Sequence, residues 1–156
     1  MIKLRKYRET DNILVDDEDV ERLNSILRPT AFWVIGSRGY VVGWHKDWQM
    51  QVTLGRMVLN TTDSSIYVDH INHNKLDNRK VNLRLCTNTQ NQFNSTKIKG
   101  AVPFKGVFYR KDRNKYTSRI RIGGERLHLG MFDTAEEAYQ AYKEAALKYH
   151  KEFACI

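Results

Sequence analysis

The chain has 156 residues, with 26 Lys and Arg against 18 Asp and Glu, for a formal net charge of +8. Its 41% hydrophobic and 11% aromatic content supplies a packed core and excludes wholesale disorder, and the length suits one domain or two small ones on a short linker. A basic excess favours a polyanionic partner, either nucleic acid or an anionic membrane face. The longest apolar stretches, such as 31–35, fall far short of the ~20 residues a spanning helix needs. Residues 1–12 are basic with no apolar core, so no secretory signal is visible. Cys86 and Cys155 cannot make a disulfide framework, and the lack of a Cys-x-x-Cys pair counts against structural zinc. The expectation is a reduced, soluble, intracellular basic protein.

In chain order, the acids Asp16, Asp17, Glu18 and Asp19 open a short helix with Val20, Leu23 and Leu27 on one face and Pro29 just past its end. Strands are expected over 31–35 and 40–44, joined by a turn at Gly36-Ser37-Arg38-Gly39, then over 51–59 and 66–71. Trp33, Trp44 and Trp48 read as a group of core anchors. An Asn-rich loop follows, then a strand over 82–86. Thr87 and Gln90 have the form of a capping box, so a helix is expected to start there. Residues 95–104 read as a linker. Beyond it, three strands carry an apolar face (Tyr116, Ser118, Ile120, Ile122) and a basic one (Thr117, Arg119, Arg121). Thr134 and Glu137 cap a last helix, with Ala138, Ala141, Tyr142, Ala145 and Tyr149 as its apolar stripe.

Charge and asparagine are unevenly placed. Residues 97–126 hold ten basic and two acidic groups, a net charge equal to that of the whole chain. Asn72, Asn74, Asn78, Asn82, Asn88, Asn91 and Asn94 are seven of the eleven asparagines. The clusters do not overlap, which points to two modules. In the first, Asp69 is a hard oxygen donor suited to Mg²⁺, and His70 beside it suits a neutral base near physiological pH. Asn91, in the first turn of the expected helix, offers a carbonyl to the same ion. One carboxylate and one amide leave the remaining positions to water and a substrate phosphate. The bland alternative is a structural Asp-His pair beside an ordinary turn-rich loop.

The segment from Asp69-His70 through Asp77-Asn78-Arg79 and Asn82-Leu83-Arg84 to Gln90-Asn91 resembles the HNH endonuclease motif in its Asp-His, H-N-N form, as in phage and intron-associated homing enzymes. The spacing is twelve residues from His70 to Asn82 and nine more to Asn91. The run Leu14-Val15-Asp16-Asp17-Glu18-Asp19 also resembles the opening of small phage members. The resemblance implies an α+β fold with a ββα-metal core near 66–94, in a nuclease domain over 1–94. It implies His70 as general base, Asn82 as the loop tie, and Asp69 and Asn91 as ligands to Mg²⁺, with Mn²⁺ able to substitute. Relatives usually carry Leu-His-Arg before the motif where this chain has Leu54-Gly55-Arg56, leaving Arg56 to play a similar part. His45 and His73 read as surface or loop groups.

Residues Lys105-Gly106-Val107, Lys115-Tyr116 and 129–138 resemble the APETALA-type (ethylene-response-factor-like) DNA-binding domain, expected over 105–156 as a three-stranded antiparallel sheet packed on one helix. That family binds DNA through its sheet. Its groove-facing tryptophans correspond here to Tyr116 or its turn neighbours and to His128, and an acidic residue of strand two to Arg119. The resemblances imply a site-specific, homing-type DNA endonuclease in the cytoplasm of a bacterial host, if phage-encoded. It would leave 5′-phosphate and 3′-hydroxyl ends. Arg56, Arg84, Lys105, Arg110, Arg119, Arg121, Arg126 and His128 would contact double-stranded DNA. No membrane or obligatory small molecule is expected, and the protein would act as a monomer or DNA-assembled dimer. The rival readings are a catalytically inactive DNA-binding regulator on an HNH fold, and a structural RNA- or nucleoid-binding protein.

Overall fold

The acidic run opens a helix as expected: Asp17–Asp19 form a 3₁₀ turn that leads into α1 (Val20–Ser25). The computed structural model describes residues 4–6, 12–96, 98 and 101–156. Its contacts divide into two units, Met1–Thr87 and Asn88–Ile156, and short helices with small antiparallel sheets make the class α+β.

In the first unit, β1 (Val34–Ile35), β2 (Val41–His45) and β3 (Met50–Thr53) form an antiparallel sheet in that order. The expected turn joins β1 to β2, with the Gly36 N–H donating to Tyr40 O at 2.8 Å. Only the second half of the apolar run 31–35 joins this sheet. Trp33 instead donates its N–H to Arg5 O at 2.8 Å. Leu23, Leu27, Trp33, Val41 and Leu54 fill the core. Gly43 lets Trp33 lie flat on β2, because a Cβ there would stand 2.8 Å from the indole and 2.6 Å from Leu27.

The strand expected over 51–59 is a correction. It stops at Thr53, and α2 (Leu54–Val58) follows. Leu54, Met57 and Val58 recur at helical spacing and are all buried, which a reading based on apolar density misses. The tryptophans also part company: Trp33 is fully buried, while Trp44 and Trp48 are about two-fifths exposed. Trp44 sits on the outward side of β2 under the Arg28 guanidinium, 4.8 Å from its ring centre. His45, expected at the surface, is buried. It stacks under Trp48 at 4.0 Å, and its Nδ1 accepts from the Asp47 and Trp48 N–H groups. A polar ring covered by an aromatic and given two backbone donors can be buried at little cost. After α2 the chain forms the hairpin of β4 (Tyr67–His70) and β5 (Leu83–Cys86), with His70 opposite Leu83 and Asp69 opposite Arg84.

The second unit begins with α3 (Asn88–Phe93), directly after Thr87. An antiparallel sheet follows: β6 (Val107–Arg110), β7 (Lys115–Ile122) and β8 (Glu125–Phe132). α4 (Ala135–His150) crosses it, capped by Thr134 and Glu137 through both bonds of a capping box. Val102, within the stretch expected to link the modules, packs with Val107 and Ala138 in this core. The seam of α4 runs through Ala138, Tyr142, Ala145, Ala146 and His150. Tyr149, expected in the stripe, is two-fifths exposed, since the ~100° step per residue carries the seam past it to His150. At Gly106, with φ of +77°, a Cβ would stand 2.1 Å from Tyr142. Both cysteines are free thiols. Among the described residues, no helix is long and apolar enough to cross a membrane.

Candidate active site and nucleic-acid interface

His70 closes β4, and the loop of residues 71–82 folds back over it. Loops of this polarity hold shape only if their backbone groups are satisfied locally. Here asparagines do so: Asn72 Oδ1 accepts from Asn74 N–H at 2.8 Å, and Asn74 Oδ1 from Leu76 N–H at 3.1 Å. Asn82 closes the loop at both ends. Its Oδ1 accepts from Asn72 N–H at 3.0 Å, and its Nδ2 donates to Asp77 O at 2.7 Å. Asp77, buried, takes both Arg79 Nε and a terminal guanidinium nitrogen at 2.8 Å, and also Asn72 Nδ2. The Arg79 bonds hold the Asp77 carboxyl below its ordinary range, so it stays ionised. The N-terminal segment clamps the loop from outside. Leu14 N–H donates to Leu76 O, Asn78 N–H donates to Leu14 O, and Asp16 accepts from Lys80 N–H, all at 2.8 Å. Lys80 Nζ reaches Glu18 at 2.6 Å and buried Asp19 at 2.9 Å. The acids expected to serve the helix dipole therefore also bind the loop.

The His70 ring lies buried within this frame, and its Nε2 is 3.3 Å from Asn78 Oδ1. Asn78 Nδ2 donates to Lys75 O at 3.2 Å, which fixes the amide with its oxygen toward the ring. An amide oxygen only accepts, so Nε2 carries the proton and the basic lone pair is on Nδ1. Burial pushes the imidazole below its ordinary pKa, which keeps it neutral and able to accept a proton near pH 7. Asn78, almost fully buried, is thus the partner of the His70 ring. Its only signal in sequence is its place in Asp77-Asn78-Arg79. Gly55 packs on the same group: a Cβ there would stand 3.2 Å from both Asn78 Oδ1 and Val68 Cγ1.

Asp69, next to His70, is buried, and its Oδ2 accepts from Arg84 Nε at 2.8 Å and a terminal guanidinium nitrogen at 2.7 Å. Among the described residues no three His, Cys, Asp or Glu side chains gather into a cage. A single carboxylate donor fits a hard ion held largely by water and phosphate, as magnesium is, better than a zinc centre. Asn91 lies half-buried on α3, in the second unit. His73 is exposed in the loop, as expected.

The residues expected to contact DNA have mixed placements. Arg56 on α2 donates to Ile66 O at 2.7 Å and to Asp63 O, tying down the loop before β4. Lys105 donates to Phe93 O at 2.7 Å and Ser95 O at 2.6 Å, closing the end of α3, and its burial lowers the ammonium pKa. Arg110, Arg119, Arg126 and His128 come together on the sheet face, with Arg113, Thr117 and Met131, around a groove of about 400 Å³. Arg110 is held by a two-pronged pair with Asp112 at 2.9 and 2.7 Å. Arg119 lies 5.9 Å from the Phe108 ring centre. Arg121 is exposed on β7, opposite Arg126 in register. Arg113 and Thr117 went unassigned: one reads as a turn residue, the other as a neutral β-branched one.

Residues 63–93 match the HNH endonuclease family and residues 103–152 the AP2 domain. An uncharacterized HNH endonuclease of Acanthamoeba polyphaga mimivirus is 35% identical over 133 residues, covering 78% of this chain and 64% of the relative. The chain thus spans less than two thirds of that relative's length. No solved structure matches the chain. One segment of the chain is thus similar to HNH endonucleases and another to AP2 domains.

Proposed function

We propose that the protein is a site-specific, homing-type endonuclease that hydrolyses a phosphodiester of double-stranded DNA. The observation that carries this reading is the buried His70 ring, with Nε2 3.3 Å from Asn78 Oδ1, beside the carboxylate of Asp69. His70 Nδ1 takes a proton from water, the water oxygen bonds to phosphorus, and the bond to the 3′ oxygen breaks as that oxygen takes a proton from solvent water. The ends are a 5′-phosphate and a 3′-hydroxyl. Asp69 and, by the family pattern, Asn91 would hold one divalent ion, Mg²⁺ with Mn²⁺ as substitute, within a ββα-metal core. When bound, that ion stabilises charge on the phosphoryl and leaving oxygens. Asn82 keeps the loop over His70 in register. The AP2 face carries the target preference, with arginines on phosphates and base edges. One site per chain makes nicking the product of a monomer, and double-strand cleavage would need two chains on the DNA.

His70→Ala is expected to lower nicking of supercoiled plasmid in Mg²⁺ by at least ~10²-fold, the low end of general-base contributions, with DNA binding nearly intact. Undiminished cleavage refutes the assignment. The engagement of Asp69 Oδ2 by Arg84 favours a second reading, a DNA-binding regulator without activity. Retarded DNA with no cleavage in either Mg²⁺ or Mn²⁺ would decide for it.

A further inference from the structure

In the groove on the C-terminal sheet, the lining arginines Arg110, Arg113, Arg119 and Arg126 are donors only. They suit phosphate oxygens and the acceptor edge of guanine. One group there has different chemistry. The β7–β8 register runs from Ser118 opposite Gly130 to Arg119 opposite His128, so Leu129 is skipped. This bulge places the imidazole where an unbroken ladder would place Leu129, and Leu129 packs into the core instead.

The His128 ring is fixed by a neighbour. Thr117 is 1% exposed, and its hydroxyl lies 3.2 Å from His128 Nδ1 and 3.4 Å from Gly130 O. A hydroxyl has one proton, and a carbonyl can only accept it. Both contacts are therefore hydrogen bonds together only if Thr117 donates to Gly130 O and accepts from Nδ1–H of the imidazole. The neutral ring then carries its lone pair on Nε2, the nitrogen not held by Thr117.

We infer that His128, set in its Nδ1–H form by Thr117, is the specificity-determining acceptor of this groove. It selects a base with an exocyclic amino group, cytosine through N4 or adenine through N6, at one position of the DNA site. This rests on the AP2 face binding DNA. Thr117 is the positioning residue: it touches the histidine, not the base.

The test uses the full chain at pH 8, where imidazole is neutral. ¹⁵N spectra of the free protein read the tautomer directly. A pyrrole-type Nδ1 and a pyridine-type Nε2 are expected for His128, and Thr117→Val should lose this bias. The opposite tautomer in the unaltered protein overturns the inference. Selection from random duplexes then gives the preferred site. His128→Ala should cut the preference for cytosine or adenine at one position by about tenfold, the scale of one hydrogen bond, while the preferences at the other positions of the site persist. Methylation of N4 or N6 at that position separates the two bases. Intact binding with an unchanged preference in His128→Ala overturns the inference alone. Absence of any DNA binding by the unaltered protein overturns the DNA-binding reading, and the inference with it.

Discussion

Asp69 and Arg84 stand directly opposite each other across β4 and β5, and one carboxylate oxygen accepts from both Nε and a terminal nitrogen of the guanidinium. Their side chains are 7% and 15% exposed, so the pair is largely shielded from water. Directly opposed charges of unlike sign stabilise a hairpin. This pair also fixes the carboxylate that the proposed reaction needs, next to the base. Arg84 thus positions the Asp69 carboxylate.

Removing the arginine strands a buried carboxylate. Arg84→Met should cost about 3 kcal/mol, the low end for breaking a buried pair, measured by urea unfolding. In Asp69→Asn with Arg84→Met the cost should shrink, because no charge is left unpaired. Equal losses in the single and double variants would contradict a coupled pair.

Asn82 satisfies a backbone donor and a backbone acceptor of the same loop. Asn82→Ala should cost about 1–3 kcal/mol, the range for an orphaned buried polar group. Amide exchange should accelerate across residues 71–78 and remain slow in β2 and β3. Uniform acceleration through the first unit would instead mean global destabilisation.

The glycine at 55 is coupled to His70 through Asn78. Gly55→Ala gains up to ~1 kcal/mol in helix propensity. Its Cβ would crowd Val68 and an Asn78 already held by His70 and Lys75. Overpacking costs about 1–3 kcal/mol, so a net loss near 1 kcal/mol is expected, and a larger one for Gly55→His, which restores the residue usual in relatives. A stabilised Gly55→Ala protein would show that Asn78 yields.

Burial lowers the pKa of two histidines, His70 in the first unit and His150 at the end of α4, where Nε2 donates to Arg121 O at 2.8 Å and the ring stacks on Phe93. For a lowered folded value, the unfolded chain binds more protons in the window below the ordinary pKa near 6.5. Stability is therefore full above that value and is lost as pH falls toward the folded pKa, at up to ~1.4 kcal/mol per pH unit for each histidine. Urea midpoints should drop between pH 7.5 and 5.5, and the acid limb of cleavage should lie below 6.5. An activity limb above 6.5 would argue against His70 as the base.

The strand-loop-strand setting of Asp69, His70 and Asn82 was legible in the chain itself, because within one local segment sequence neighbours are also neighbours in space. The same holds for the Thr134-Glu137 cap, whose partners lie one turn apart. Alternation along β6, β7 and β8 likewise gave Arg110, Arg119, Arg126 and His128 a basic face, and the three strands bring them to one groove. What the residues bond to was decided by tertiary structure. Arg56 and Lys105 read as DNA contacts, and what the sequence did not reveal is that each closes a carbonyl cluster set by folding. His45 reads as polar and lies buried under Trp48. The bulge at Leu129 and the Thr117 bond that fixes His128 depend on which strands pair and in what register. Residue type and spacing set charge, period and local motif, because these are short-range. Burial, protonation and hydrogen-bond partners belong to contacts between segments far apart in the chain, and only the folded protein creates them.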